Sequence, residues 1–488
     1  MRRRLALLLA AALALVPSCR EQPSGANKVM VIGGQPSLKD PALGPLTTPQ
    51  AVLLQNVAQG LVRFDASGNI ISGLAERWNV SDDGLSYIFR IAPAQWPDGS
   101  KITAQQVARI LKRQLSGHSK NALRDTLGAV EDVVAMTDRV IEIRLVAPRP
   151  NLLPLLAQPE MAVIRNGYGS GPFSYVPTGD PSGELRLLSE VVSPDEEVTR
   201  REEVLLGHGT VQDAVRTFAA DKVDLVLGGT FADAPVPRAV KLPRNSLRFD
   251  PALGLFGLVP TSAQSPYAEE DVRKLLTQAI DRDALVAAFN VPGLAARATL
   301  LEPGLEGVAD PVQPVWFGTP LDQRQAEIAA DATRIFGAGE KPIVRILLPE
   351  GPGAEILLRR LAADWGRIGF TVERAKSLGT ADFRLIDAVA PSTSPAWYLR
   401  SFRCGAVPIC DPQADELLDA ARLAPVPAQR AALLYQASQR MDEAQLFIPL
   451  AAPVRWSLVS ARVPGFAGNR YARHTLTDLG LPAAAGGR

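Results

Sequence analysis

The chain has 488 residues, with 52 Lys and Arg against 51 Asp and Glu, 3 His and 3 Cys. That length exceeds the reach of one hydrophobic core, so two or three domains are expected, and 47% hydrophobic with 21% charged residues is globular rather than disordered composition. With the charge nearly balanced nothing suggests a nucleic-acid binder, which needs a basic face, and three cysteines cannot build a disulfide scaffold or a four-thiolate zinc site.

At the N-terminus, Arg2, Arg3 and Arg4 precede an apolar run from Leu5 to Val16. As a helix this run is about 18 Å long, too short to span a bilayer. A basic start, a short apolar stretch and small residues describe a secretory signal peptide over 1–18. The sequence Val16-Pro17-Ser18-Cys19 resembles a bacterial lipoprotein cleavage box, with Pro17 unusual there; it makes Cys19 the candidate lipidation site and 19–27 a flexible tether. Removing three arginines leaves 49 basic against 51 acidic residues. The remaining Cys404 and Cys410 stand six apart. An oxidising compartment allows them a loop-pinning disulfide, worth about 2 kcal/mol in the chain-entropy model; the alternative is a redox-active pair, against which the spacing, not C-x-x-C, counts.

Lys28–Gly33 reads as a strand and turn, and Thr48-Pro49 as the start of a helix presenting Val52, Leu53 and Val57. Leu61–Phe64 and Ile70–Ile71 flank a hairpin turn, Tyr87–Ile91 is strand-like, and Asp98-Gly99 marks a turn. Thr103 and Gln106 form a capping box opening a helix with Val107, Ile110 and Leu111 inward. Ile141, Ile143 and Leu145 alternate with Glu142 and Arg144 as a half-buried strand. Glu269–Phe289 carries helical spacing throughout. Strands are expected at Ile343–Leu348, through Val372 and at Phe383–Ile386, and helices at Ile356–Ile368, Ala414–Arg422 and Ala428–Ala444, the last two separated by Pro425-Val-Pro427. Elements of both kinds on each side of the midpoint predict two α/β lobes.

Trp96-Pro-Asp98-Gly99-Ser-Lys-Ile-Thr103-Ala104-Gln-Gln-Val107 resembles the F-x-D-G-x-P-x-T-A-x-D-V signature of ABC-importer solute-binding proteins of the peptide/nickel family, family 5. Gly171-Pro172-Phe173, Lys222-Val-Asp224-Leu, Val272-Arg273 with Ala279-Ile280-Asp281-Arg282, Ile368-Gly369-Phe370, and Phe447-Ile-Pro449-Leu450 are similar to further motifs of that family, collinear over roughly 28–480. The resemblance implies a two-lobed periplasmic binding protein-like α/β fold with an extra subdomain. Lobe I would cover 28–250 with the subdomain near 50–165, lobe II 251–445, and 446–488 would return to lobe I. It also implies a monomeric receptor, lipid-anchored at the cell membrane, that encloses a peptide or peptide-like solute at the hinge and presents it to an ABC permease and ATPase, with no cofactor and no metal.

The chain departs from the family at the stretch W-x-A-D-Y-x-x-P, whose Asp pairs with a peptide's α-ammonium. Aligned on Pro395, that position holds Pro391. Asp387, four residues earlier, is the candidate substitute, since a buried ammonium needs a carboxylate partner. Other cleft candidates are Gln35, Pro36 and Leu38 after the first strand, Gly229, Thr230 and Phe231 after the Asp224–Leu227 strand, Ser392 and Trp397 in the hinge-facing stretch, and Arg403, which with Arg400 would fork a carboxylate. His118, His208 and His474 show no ligand spacing and read as surface residues; Arg282 beside Asp281 and Asp283 reads as a structural ion pair. Rival readings are an orphan receptor or sensor lipoprotein, and an exported hydrolase. The second finds no support: Gly167-Tyr-Gly169-Ser170-Gly171 is out of register for a nucleophile elbow, and no H-E-x-x-H, P-loop or dinucleotide fingerprint occurs.

Overall fold

The computed structural model describes residues 25–177, 179, 183–192, 198–337, 339 and 342–482. Cys19 and the leader therefore lie outside the described residues.

Asn27–Ile32 buries Val29 and Val31 on one face and lies between two parallel neighbours, Val198–Gly209 and Leu225–Thr230. It is the middle of a seven-stranded sheet in the order Leu247–Phe249, Arg455–Val459, Leu225–Thr230, Asn27–Ile32, Val198–Gly209, Leu185–Val192, Ser174–Pro177. Segments near both chain ends thus meet in one lobe. A five-stranded sheet builds the other, in the order Thr371–Arg374, Ile343–Leu347, Phe383–Val389, Gly254–Pro260, Ile448–Pro449. Every residue of Gly254–Pro260 is buried, as a strand covered on both faces requires.

Between helix Thr48–Val57 and strand Ser174–Pro177, the chain makes a separate four-stranded antiparallel sheet of Ala75–Val80, Ser86–Ile91, Val140–Leu145 and Val130–Thr137. Helix Ala104–Leu115 packs on it, started by the expected Thr103–Gln106 capping box, with Phe89, Val107, Leu111, Ile141 and Ile143 in a core of its own. Two segments join the large sheets, 249–254 and 449–455. Ile448 and Pro449 still pair with Leu258 and Gly257, so the return crossing falls beyond Pro449 rather than at 446. The outgoing crossing is pinned where Gly254 N donates to Glu302 Oε1 at 3.0 Å and Arg297 Nη1 donates to the Gly254 carbonyl at 3.2 Å. Among the described residues no helix is long and apolar enough to cross a membrane.

Several elements differ from the sequence expectation for local reasons. The first helix is capped by Thr47, not Thr48, because Thr47 and Gln50 close a reciprocal capping box. Glu269–Phe289 is two helices, Glu270–Ala279 and Arg282–Phe289: Asp281 turns out of helical geometry and accepts from Ala284 N at 2.9 Å, capping the second. Arg282 pairs with neither adjacent acid. It is buried, donates to the Pro449 and Thr277 carbonyls, and lies over the Trp316 ring at 5.2 Å; burial, with Arg324 nearby, holds its guanidinium down at about 9. Helix Leu321–Phe336 and the long antiparallel pair Leu185–Val192 and Val198–Gly209 were not among the expected elements.

Asp442 sits in the last long helix, Pro427–Glu443, and accepts from Leu300 N at 2.8 Å. Burial, helped by Glu443, pushes its carboxyl up to about 7. The folded protein therefore holds this proton more tightly than the unfolded chain, and stability falls as pH rises from about 4 to about 7. Asp442→Asn keeps the acceptor and removes the charge. Thermal unfolding of this variant should show a gain over the parent of up to about 4 kcal/mol at pH 8, vanishing near pH 4; identical pH profiles would assign the slope to other groups.

Candidate functional site

The two crossings bring side chains from both sheets to one cavity of about 340 Å³. The first sheet supplies Leu227–Thr230, Trp456 and Ser457; helix Thr48–Val57 supplies Thr48, Ala51, Val52 and Gln55; the second sheet supplies Asp387–Val389. Asp250 and Arg455 come from the crossings, and 471–474 from the C-terminal segment.

Its centre is an ion pair between lobes. Arg455 opens the return strand of the first sheet; Asp387 lies on the second sheet opposite Phe256. Arg455 Nη1 donates to Asp387 Oδ1 and Oδ2 at 2.8 and 3.0 Å, and Nη2 donates to the Asp387 carbonyl at 3.2 Å. The side chains are only 16% and 18% exposed. Burial pushes the Asp387 carboxyl above the usual carboxylate range, and the Arg455 charge and hydrogen bonds pull it back.

The other charges are paired as well. His474 Nε2 lies 3.2 Å from Asp250 Oδ2, both nearly buried. Arg473 donates to Gln158 Oε1 at 3.0 Å and to Glu160 Oε1 at 2.9 Å. Gln55 donates to the His474 carbonyl. On the first-sheet wall, Trp456 Nε1 donates to the Thr230 carbonyl at 2.9 Å, and a Cβ on Gly229 would meet the Trp456 ring at 2.1 Å, so only glycine fits there.

Of the sequence candidates, Gly229, Thr230 and Asp387 line this cavity and the others do not. Phe231 is a correction: the chain turns at Thr230, and the ring enters the core of the second lobe, edge-on to Phe256 and Phe289 at 4.8 and 6.0 Å. Gln35 is exposed beside Gly183, Pro36 is buried, and Leu38 borders a different depression with Asp40, Arg109 and Arg113. Ser392 is buried and accepts from Ser394 N. Trp397 packs against Tyr398 at 5.0 Å in a third core cluster. Arg403 is taken by Asp419 at 2.9 Å and Asp415 at 3.7 Å, next to the bonded Cys404 and Cys410, which leaves no free fork for a carboxylate. The glycine-rich Gly169–Gly171 turn has a packing reason, since a Cβ at Gly171 would meet the Val57–Ala58 backbone at 2.6 Å.

Arg455, Trp456, Asp250 and His474 were not among the candidates. An arginine inside the otherwise apolar 446–459 run was the available signal for the first; His474, read as a surface residue, is 8% exposed. Among the described residues no group of three or more His, Cys, Asp or Glu is placed to hold a metal ion.

Residues 69–198 match the model of the middle region of bacterial extracellular solute-binding proteins, family 5. Among the curated relatives of this chain is a probable di/tripeptide-binding protein of Pseudomonas aeruginosa, 25% identical over 86% of this chain and 89% of the relative. Its fold is that of Haemophilus influenzae OppA in complex with the peptide RPPGFSPFR, with a TM-score of 0.77, 15% identity and coverage of 92% and 97% of the two chains. The Escherichia coli murein tripeptide-binding protein MppA superposes with a TM-score of 0.76, 17% identity and coverage of 93% and 97%. Such neighbours are two-lobed α/β proteins, and this chain shares that fold.

Removing one partner of the central pair leaves a buried, unpaired charge. Arg455→Met should cost about 3 kcal/mol or more in urea unfolding, whereas the double variant Asp387→Asn/Arg455→Met should recover most of that loss. Additive losses would show that the two groups do not depend on each other.

Proposed function

We propose that this protein is a receptor that captures a short peptide or peptide-like zwitterion between its lobes and delivers it to an ABC permease and its ATPase. The observation that carries this reading is the cavity at the crossings, walled by both sheets and centred on Asp387 and Arg455. Asp387 and Arg455 are already paired with each other, and Arg473 with Glu160. A solute bearing one ammonium and one carboxylate offers Arg455 and Asp387 a replacement for each other, so neither charge is left bare on binding. An isolated cation or anion leaves one of them unpaired. A cavity of about 340 Å³ is at the small end of ligand pockets, which suits a short peptide better than a long one. The P. aeruginosa relative named for di- and tripeptides and the peptide complex of H. influenzae OppA support the same class.

The role is binding rather than catalysis. Ligand that contacts both sheets favours the arrangement in which they approach, a shift of population toward the closed state. We assign lobe I to 28–250 with the inserted unit near 50–165, and lobe II to the segment that follows up to the return crossing. We place the receptor outside the cytoplasmic membrane, in the periplasm, as a monomer tethered through lipid on Cys19. The leader pattern and the periplasmic relatives support this placement.

Thermal unfolding against di- to octapeptides, their N-acetylated forms and Ni²⁺ tests the proposal. A cognate peptide at about 100 times its Kd adds roughly 2.7 kcal/mol, and free-amino di- and tripeptides should give the largest shifts. Asp387→Ala should weaken them by about tenfold or more, the value of a charged hydrogen bond, and should affect acetylated peptides little. Stabilisation by blocked or non-peptide compounds alone would overturn the zwitterion reading; equal losses for blocked and free peptides would remove Asp387 from ammonium recognition.

A further inference from the structure

A second set of charged groups lies away from the cavity, where the inserted four-stranded unit meets the second lobe. Arg149 comes from the inserted unit; Arg400, Arg422 and Arg430 come from helices Pro395–Arg400, Pro412–Leu423 and Pro427–Glu443 of the second lobe. All four line one small chamber, closed by Asn151, Ser394 and apolar side chains. No Asp or Glu is among its lining residues.

The nearby carboxylates are engaged elsewhere. Asp415 and Asp419 hold Arg403, Asp125 pairs with Arg124, and Glu306 accepts from Thr393; Asp419 still acts on Arg400, and Glu306 on Arg430, from outside the chamber. The arginines meet only carbonyls across the seam: Arg149 Nη2 donates to the Arg422 carbonyl at 2.7 Å, and Arg400 Nη1 donates to the Asp125 carbonyl at 2.6 Å. The Nε atoms of Arg400 and Arg422 are buried with no hydrogen-bond partner. Burial, then the neighbouring charges of Arg430, Arg400 and Arg422, holds the Arg149 guanidinium down at about 9.

Four guanidiniums gathered in a partly desolvated chamber repel one another unless a counter-charge joins them. We infer that this seam binds one chloride-sized anion, coordinated by Arg149, Arg400, Arg422 and Arg430. Size selects the ion: the chamber offers about 20 Å³, room for a single atom or water-sized guest. A phosphate or sulfate needs more. Because its ligands come from both sides, the anion ties the inserted unit to the second lobe. This site shares no lining residue with the solute cavity and stands whatever solute that cavity takes.

The test is thermal unfolding of the purified protein at constant ionic strength, with chloride or bromide exchanged for gluconate, sulfate or phosphate. The halides should raise the unfolding midpoint saturably by several degrees and gluconate should not. Arg422→Gln and Arg430→Gln should weaken the halide response at least tenfold, whereas Arg334→Gln, at an exposed arginine paired with Asp331 within helix Leu321–Phe336, should retain it. Equal stability in chloride and gluconate, an unchanged response in both seam variants, or stabilisation by the oxyanions alone would overturn the assignment. Should a seam variant fail to fold, a bromide-soaked crystal of the parent decides. An anomalous peak among the four guanidiniums supports the site; its absence overturns it.

Discussion

Arg455 stands where the chain re-enters the first sheet, and its guanidinium closes on Asp387 of the second. A charge pair of this kind is weak as a source of net stability, because desolvating both groups offsets most of their attraction. Its value lies in position. The two residues are 68 apart in sequence and belong to different sheets, so their contact is made only when the lobes stand in register. The rest of the cavity is built around this constraint. Arg473 pairs with Glu160 in the same way, and Asp250 has the ring of His474 as its hydrogen-bond neighbour.

That neutrality distinguishes the site from one built around a single fixed charge. The family pattern offers a lone carboxylate to a peptide ammonium. Here Pro391 replaces it, and its carbonyl accepts instead from Gln158 on the inserted unit. The carboxylate that does reach the cleft arrives with its own cation. On the reading proposed above, recognition becomes an exchange of partners rather than the filling of a vacancy, and favours solutes that carry both signs.

Much of the architecture was legible because it rests on local chemistry. The alternation of Ile141, Ile143 and Leu145, the capping box of Thr103 and Gln106, and the Pro425–Pro427 break each act within a few residues. The site was less legible because it is assembled from distant ones. Asp387 was found through the alignment of its stretch, but nothing nearby in sequence announces that Arg455 would occupy it. His474 reads as a surface residue until Asp250, 224 positions away, is brought beside it. Phe231 was a cleft candidate because it follows the Asp224–Leu227 strand; the turn at Thr230 sends the ring into the opposite lobe. The split of Glu269–Phe289 was hidden because its apolar spacing continues across Asp281, and only the capping geometry reveals the break.

The placement of Phe231 bears on how the molecule can move. The ring belongs to a segment leaving the first sheet, yet it is clamped between Phe256 and Phe289 in the core of the second lobe. The backbone beside it leaves no slack: a Cβ on Gly353 would fall 1.9 Å from the Phe231 carbonyl oxygen. A ring held in this way acts as a ball in a socket. It lets one lobe swivel and resists sliding, since sliding would draw an aromatic side chain out of a close-packed interior. The lobes are thereby geared to a single angular coordinate. A small change of angle near such a pivot is amplified into a large displacement at the edge farthest from the socket.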